Sequence, residues 1–439
     1  MSSLTATGPK IADVWAREIL DSRGRPTVEA EVTLEDGSSG RASVPSGAST
    51  GRHEARELRD GDSDHYEGRG VRQAVVNVRR EIAAALKGRS ALDQPAADET
   101  MTALDPDVHL GRLGANAVLA VSLAVARAAA AYLRQPLYRY LGTLGGVQAE
   151  ATLPMPMTNI LSGGAHGGRA MDFQDFLAVP VGARSYSQAL EWISRVRDAA
   201  AKLMTTQHLS ILLADEGGLA PGYPDAEQAL QLMTASIEAA RLEPQRDVAV
   251  AIDVASSELF STEAQVYELR GLGRRLSGDA MAAYVAGLCE KHPVISVEDP
   301  LEQDDWEHWQ RFTAMFQDRG LQILGDDLFV TNAARIAMGI ERRVANAVLI
   351  KLNQNGTLSG TLGAMSVARK AGYATVVSAR SGETEDSFIA DLAVATGAGQ
   401  IKIGSVRNAE RQAKYNQLLR VEEDTAVGFA GTRGIAGFT

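Results

Sequence analysis

Hydrophobic and polar positions divide the chain into two regimes. In the first, Ile11 to Arg17 and Thr27 to Thr33 alternate apolar and polar residues with the period of a half-buried strand, and Asp36-Gly37 supplies a hairpin turn signal. Helical spacing follows at Val71 to Leu86 and Ala115 to Leu133. Strands first and helices after predict an α+β unit, with Pro136 to Gly146 as the best boundary. From about Leu153 onward, short apolar runs alternate with amphipathic helices. The runs are Val248–Val254, Val294–Val297, Leu321–Leu324, Ala347–Leu352, Ala374–Val377 and Gln400–Ile403. Between and after them lie helical patterns at Trp306–Phe316, Ala333–Arg342, Leu358–Lys370, Phe388–Thr396 and Glu410–Leu419. This alternation predicts a parallel sheet, most economically closed as a (β/α)8-type barrel. The expected organisation is an N-terminal α+β capping domain over 1–140 and a barrel over 141–439.

At 439 residues the chain is long enough for this division, and 45% hydrophobic with 23% charged residues is ordinary for a globular protein. A net charge of −11 argues against nucleic-acid or membrane-surface partners, which need a basic face. It also means that an anionic substrate requires local positive charge or metal. The single cysteine, Cys289, excludes an intramolecular disulfide and fits a reducing cytoplasm. The opening Met1-Ser2-Ser3-Leu4-Thr5 shows no basic-then-apolar leader. The apolar stretch Ala117 to Leu133, interrupted by Ser122, Arg127 and Tyr132, reads as a buried helix and not a membrane span.

Candidate chemistry gathers where the apolar runs end. Asp253, Glu298-Asp299, Asp326-Asp327, Lys351, Arg380 and Lys402 each follow or close one run, and the carboxyl ends of barrel strands are where such enzymes keep their sites. The pattern predicts a ring of three acids and three bases around one mouth. Three convergent carboxylates, Asp253, Glu298 and Asp326, cannot all remain ionised in a semi-enclosed site without a cation. Oxygen-only ligands suit Mg²⁺. One strand-end acid alone would more simply cap a helix or pair with an arginine; three at equivalent positions favour the metal. Lys351, at the end of an apolar strand, is expected to be desolvated and close to cations, both of which would lower its pKa toward that of a usable base.

Longer motifs lie over these positions. Ser378-Ala379-Arg380-Ser381-Gly382-Glu383-Thr384-Glu385-Asp386 resembles a signature of the enolase family. So do Asp253-Val254-Ala255-Ser256-Ser257-Glu258, Ser296-Val297-Glu298-Asp299-Pro300, Gly325-Asp326-Asp327-Leu328 and Val44-Pro45-Ser46-Gly47-Ala48-Ser49-Thr50-Gly51. The resemblance runs from Asp21-Ser22-Arg23-Gly24 to Lys414-Tyr415-Asn416-Gln417. It implies Asp253, Glu298 and Asp326 as metal ligands, and a mobile lid whose Ser49 binds a second Mg²⁺. It further implies Lys351 as the base that removes an α proton and Lys402 as charge partner of the substrate carboxylate. In Asp215-Glu216-Gly217-Gly218 it implies Glu216 as general acid; Arg380 and Ser381 would clamp phosphate, and His166 would lie on a second loop, Ser162 to Gly168. Bare residue reading would leave Glu216 and His166 as solvated loop groups. The implied substrate is a small phosphorylated or phosphonylated carboxylic acid, and the implied assembly a homodimer.

Three positions depart from the family pattern. Ala379 stands where histidine is usual, Asp175 where glutamate is usual, and Ser162 where the loop usually begins with asparagine. The first two lie on the leaving-group side, where loss of a positioned proton-transfer group costs about 10²–10⁴ in rate. Both remove side-chain volume. The leading expectation is therefore a repurposed enzyme that keeps α-proton abstraction but makes a different enolpyruvyl product, as in the enolase-like carboxyphosphonoenolpyruvate synthases of phosphonate antibiotic pathways. Behind it stands a phosphopyruvate hydratase converting 2-phosphoglycerate to phosphoenolpyruvate. Last comes a catalytically weak structural or binding protein, against which the retained charges at one mouth argue.

Overall fold

The computed structural model describes residues 8–48, 51–145, 149–223 and 225–438. Its first part is a meander of β1 (Ile11–Leu20), β2 (Pro26–Leu34) and β3 (Ser39–Ser43), antiparallel in that order. The Asp36-Gly37 turn is real, with Gly37 at φ 88°. Alternation along β2 turns Val28, Ala30, Val32 and Leu34 inward, where they meet the long helix Ala115–Tyr132. That helix is the one among the described residues long and apolar enough to cross a membrane, and 83% of it is buried inside this fold. The expected helix at Val71 to Leu86 is formed by Arg72–Asn77, a π-type turn at Val78–Ile82 and Ala83–Leu86.

The barrel closes in chain order from β4 (Met155–Ser162), β5 (Asp175–Val179), β6 (Ala249–Asp253), β7 (Val294–Glu298), β8 (Gln322–Gly325), β9 (Ala347–Ile350), β10 (Ala374–Ser378) and β11 (Gln400–Gly404). All six predicted runs are barrel strands, within a residue or two of their expected ends. The expectation of a wholly parallel sheet fails at β5, which is antiparallel to both β4 and β6. The cause is the connection. The stretch 163–174 between β4 and β5 holds no helix, so β5 returns as a hairpin arm, and helices Tyr186–Thr206 and Ala226–Ala239 follow before β6. Inside the barrel, Met155, Met157, Leu177, Ala251, Leu324 and Leu349 form a layered apolar filling. The C-terminal residues Ile435, Ala436 and Phe438 pack against it.

Gly40 shows how closely the first part is packed. A Cβ there would lie 2.3 Å from the Ala128 nitrogen and 2.4 Å from the Ala124 carbonyl oxygen, both helix backbone atoms that cannot swing aside. Gly40→Ala is expected to lower unfolding free energy by ~1–3 kcal/mol, the usual cost of overpacking. Chemical denaturation of the two proteins checks it, and equal midpoints would refute this packing argument.

Candidate active site

Strand direction decides which side chains share the mouth. Asp253 and Glu298 are the last residues of β6 and β7, while Asp326 and Lys351 come immediately after β8 and β9. Lys402 lies within β11 and not beyond it, as its neighbours Gln400 and Ile401 had suggested. Because β5 runs backward, its first residue, Asp175, is at this same end, in register with Ser162 on one side and Asp253 on the other. The turn after β8 leaves Val330 and Thr331 with φ of 42° and 50°, a strained conformation for β-branched residues. The Thr331 hydroxyl holds the strained turn to the site: it accepts from the Lys351 N–H at 2.9 Å and donates to Gln354 Oε1 at 2.8 Å.

The predicted ring of acids and bases is present. Lys402 Nζ lies 2.7 Å from Asp253 Oδ2 and 2.7 Å from Glu298 Oε2, all three side chains being buried. Lys351 Nζ donates to Asp326 Oδ2, whose other oxygen accepts from Gln354 Nε2 at 2.8 Å. This pairing reverses the expected shift of Lys351. Burial does press its pKa down, but Asp326 and Glu298 together overcome it and leave the group above the ordinary lysine value. Lys402 rises further, burial being overcome by Asp253 and Glu298. Asp326 is lowered despite burial because Lys351, Arg380 and Lys402 surround it.

Glu298 is the exception among the acids. Burial, then the charges of Asp253 and Asp326, push its carboxyl well above the usual range, and Lys402 and Lys351 offset only part of this. Its Oε1 is buried without a hydrogen-bond partner, as is Oε1 of Gln174, whose amide donates to Asp253 at 3.2 Å. Two carboxylates sharing one ammonium, with buried acceptor oxygens unmatched, suit a hard divalent cation. Asp253, Glu298 and Asp326 are thus the residues that could hold Mg²⁺. Ser49, the expected ligand of a second ion, lies outside the described residues.

A second cluster forms opposite. His166 Nδ1 is 2.9 Å from Asp175 Oδ2, and its Nε2 is 3.7 Å from Glu216 Oε1. Asn159 donates to Glu216 Oε2 at 3.2 Å, and Ser162 Oγ donates to Asp175 Oδ1 at 2.6 Å. His166 and Glu216 are therefore buried and engaged, not solvated loop groups. Burial disfavours a charged imidazole, yet Glu216 and Asp175 outweigh it and lift His166 to about 9. Glu216 is lowered, since His166, Arg411, Lys402 and Lys351 overcome its burial, whereas burial raises Asp175 against the pull of His166. The cluster can thus hold a proton beside a carboxylate. Ala379, 5% exposed, donates its backbone N–H to the Lys402 carbonyl oxygen at 2.8 Å, and its own carbonyl oxygen accepts from the Ser378 hydroxyl at 2.9 Å.

Arg380 and Ser381 are buried where the two parts of the chain meet. Gly382 and Ser46 exchange backbone hydrogen bonds of 2.8 and 2.9 Å, which tie the base of the predicted lid to the Arg380 segment. The Ser381 hydroxyl accepts from Arg23 at 3.3 Å, and Arg380 binds Glu54 and Asn353. Glu54, Asn353 and Gln354 were not identified from sequence. The position of Asn353 and Gln354 directly after Lys351 was the available signal.

An eight-stranded barrel with carboxylates and lysines gathered at the carboxyl ends of its strands is the arrangement of a barrel enzyme. Two family models match the chain: the enolase N-terminal domain over residues 11–141 and the enolase C-terminal TIM barrel domain over residues 150–435. The chain belongs to the enolase family.

In the metal-free protein the His166 ring is expected to titrate near 9 instead of the ordinary 6.5. A folded pKa above the unfolded one gives stabilisation that is complete below about 6.5 and lost as pH rises through about 9. NMR titration of the ring and pH-dependent unfolding of wild type against His166→Gln read this out. A midpoint near 6.5 would contradict the pairing.

Proposed function

We propose that this protein removes the α proton of a 2-phosphoglycerate-like acid in a Mg²⁺-dependent reaction and forms an enolpyruvyl product, with a leaving-group side adapted away from simple dehydration. The observation that carries this reading is the conjunction of Lys351, Lys402 and three carboxylates at one mouth with an alanine at 379. Lys351 Nζ, freed from Asp326, accepts the α proton; a lysine base is a general property of enolase-superfamily sites. Lys402 faces the substrate carboxylate, and Arg380 with Ser381 takes the phosphoryl or phosphonyl group, for which a planar guanidinium is suited. Mg²⁺ held by Asp253, Glu298 and Asp326 would supply positive charge to the substrate carboxylate as it gains charge on proton loss. Glu216 delivers to the departing group a proton that His166, held in place by Asp175, stores beside it. With only a methyl side chain at 379, this region has one fewer proton carrier than a histidine would give and a smaller group there, which suits a second reactant or a bulkier acid, as in carboxyphosphonoenolpyruvate synthesis.

One observation favours phosphopyruvate hydratase instead. The Ser162–Asp175–His166–Glu216 series is continuous, so a general acid remains available for loss of water.

The deciding experiment supplies 2-phosphoglycerate and Mg²⁺, follows phosphoenolpyruvate by ultraviolet absorbance, and reads α-hydrogen exchange from deuterated water in parallel. Exchange without fast dehydration is expected. Lys351→Ala should slow exchange by about 10²–10⁴, and Ala379→His with Asp175→Glu should raise dehydration. Rapid dehydration by the wild type, little changed by those two substitutions, would establish the hydratase instead.

A further inference from the structure

Glu54, on the segment that follows the predicted lid, has no part in the reaction as proposed, yet its carboxylate pairs with the guanidinium of the phosphate clamp. Its carboxylate is 8% exposed and collects four donors. Arg380 reaches Oε2 through one terminal nitrogen at 3.0 Å and Oε1 through the other at 3.4 Å. The Gly51 N–H donates to Oε1 at 2.9 Å, and Gln354 Nε2 at 3.3 Å. Arg380 is itself only 3% exposed, and the nitrogen nearer Glu54 also donates to Asn353 Oδ1 at 3.0 Å. The guanidinium would keep a fixed orientation from Asn353 and its packing even with a neutral partner at 54. What Glu54 adds is negative charge.

That charge has opposite effects in the two states of the clamp. Without substrate, it matches a buried guanidinium, whose unpaired charge would be costly. With substrate, the phosphoryl group must take N–H groups that Glu54 holds, or share the guanidinium with a like charge a few ångströms away. We propose that Glu54 is the internal counter-ion of the phosphate clamp: it competes with the substrate for Arg380, and so sets how tightly the site holds phosphorylated ligands. This inference rests on the reading of Arg380 as the phosphate-binding residue.

Isothermal titration of inorganic phosphate into the metal-free protein, at fixed ionic strength, tests it. Glu54→Gln keeps the shape and one acceptor but removes the charge, and should bind phosphate about tenfold or more tightly than wild type. Glu54→Asp keeps the charge on a shorter arm, and should show a smaller gain; it carries the test if Glu54→Gln loses its cooperative thermal transition. Arg380→Lys should weaken phosphate binding. Unchanged or weaker phosphate binding in a folded Glu54→Gln or Glu54→Asp protein overturns the inference, because a residue that only supports the fold or orients Arg380 cannot improve affinity when removed. If that result accompanies the expected loss in Arg380→Lys, the clamp reading stands and only the counter-ion fails. Unchanged affinity in Arg380→Lys overturns both.

Discussion

The constraint on which the rest depends is charge balance in a site nearly closed to water. At the barrel mouth, Asp253, Glu298, Asp326, Asp175 and Glu216, with Glu54 beside them, outnumber Lys351, Lys402, Arg380 and His166. Each ionised group removed from water costs several kcal/mol unless it finds a partner. Most oxygens and nitrogens in the cluster are therefore spoken for; among the exceptions, Glu298 Oε1 and Gln174 Oε1 fall on the side where the excess of acid is greatest, and Asn159 Oδ1 lies beside Glu216. The shifts follow from the same imbalance. The lysines are driven up because neighbouring negative charge overcomes their burial, and Glu298 is driven up with them, by burial first and then by the carboxylates beside it. A cation bound among the carboxylates would change both at once, so base strength in such a site would depend on metal occupancy and not on burial alone.

That dependence explains where sequence reading went astray. Desolvation of Lys351 was legible from the apolar run Ala347-Val348-Leu349-Ile350, but the sign of its shift required knowing that Asp326, 25 positions earlier, accepts from that lysine at Oδ2 and from Gln354 at Oδ1. Strand positions were legible for six of the eight barrel strands because their apolar runs are bounded by polar residues. Met155–Ser162 is buried on both faces and lacks alternation, and Asp175–Val179 is five residues long, so neither carries a periodic signal. The reversal of β5 was hidden with them. Glu54 was invisible for another reason: its partner Arg380 is 326 positions away, and a loop glutamate has no local mark of such a contact.

Reversal of β5 has a chemical consequence. In a parallel strand, Asp175 would open at the far end of the barrel; only an antiparallel strand delivers its first residue to the mouth. There it meets Ser162 across the β4–β5 ladder, and the two departures from the family pattern become one feature. The aspartate is shorter than glutamate and the serine is smaller than asparagine, yet Ser162 Oγ reaches Asp175 Oδ1 at 2.6 Å and leaves Oδ2 for His166. Gly218 completes the fit, since a Cβ on it would lie 2.3 Å from Ser162 Oγ.

A site decaying without function has no reason to keep buried polar atoms matched after such substitutions, because each unmatched donor or acceptor is a stability cost and not an advantage. Here both oxygens of Asp175 are satisfied and its charge is passed to a histidine that holds Glu216 nearby. Replacement at 379 differs in kind. Alanine there leaves no polar atom to satisfy, and its backbone bond to Lys402 needs no particular side chain. The changes at 162 and 175 therefore preserve a proton-handling cluster in altered form, while the change at 379 removes one contributor cleanly. On the proposed reading, the change at 379 lightens the leaving-group side and leaves the lysine and carboxylate side undisturbed, an asymmetry that would separate proton abstraction from the step that follows it.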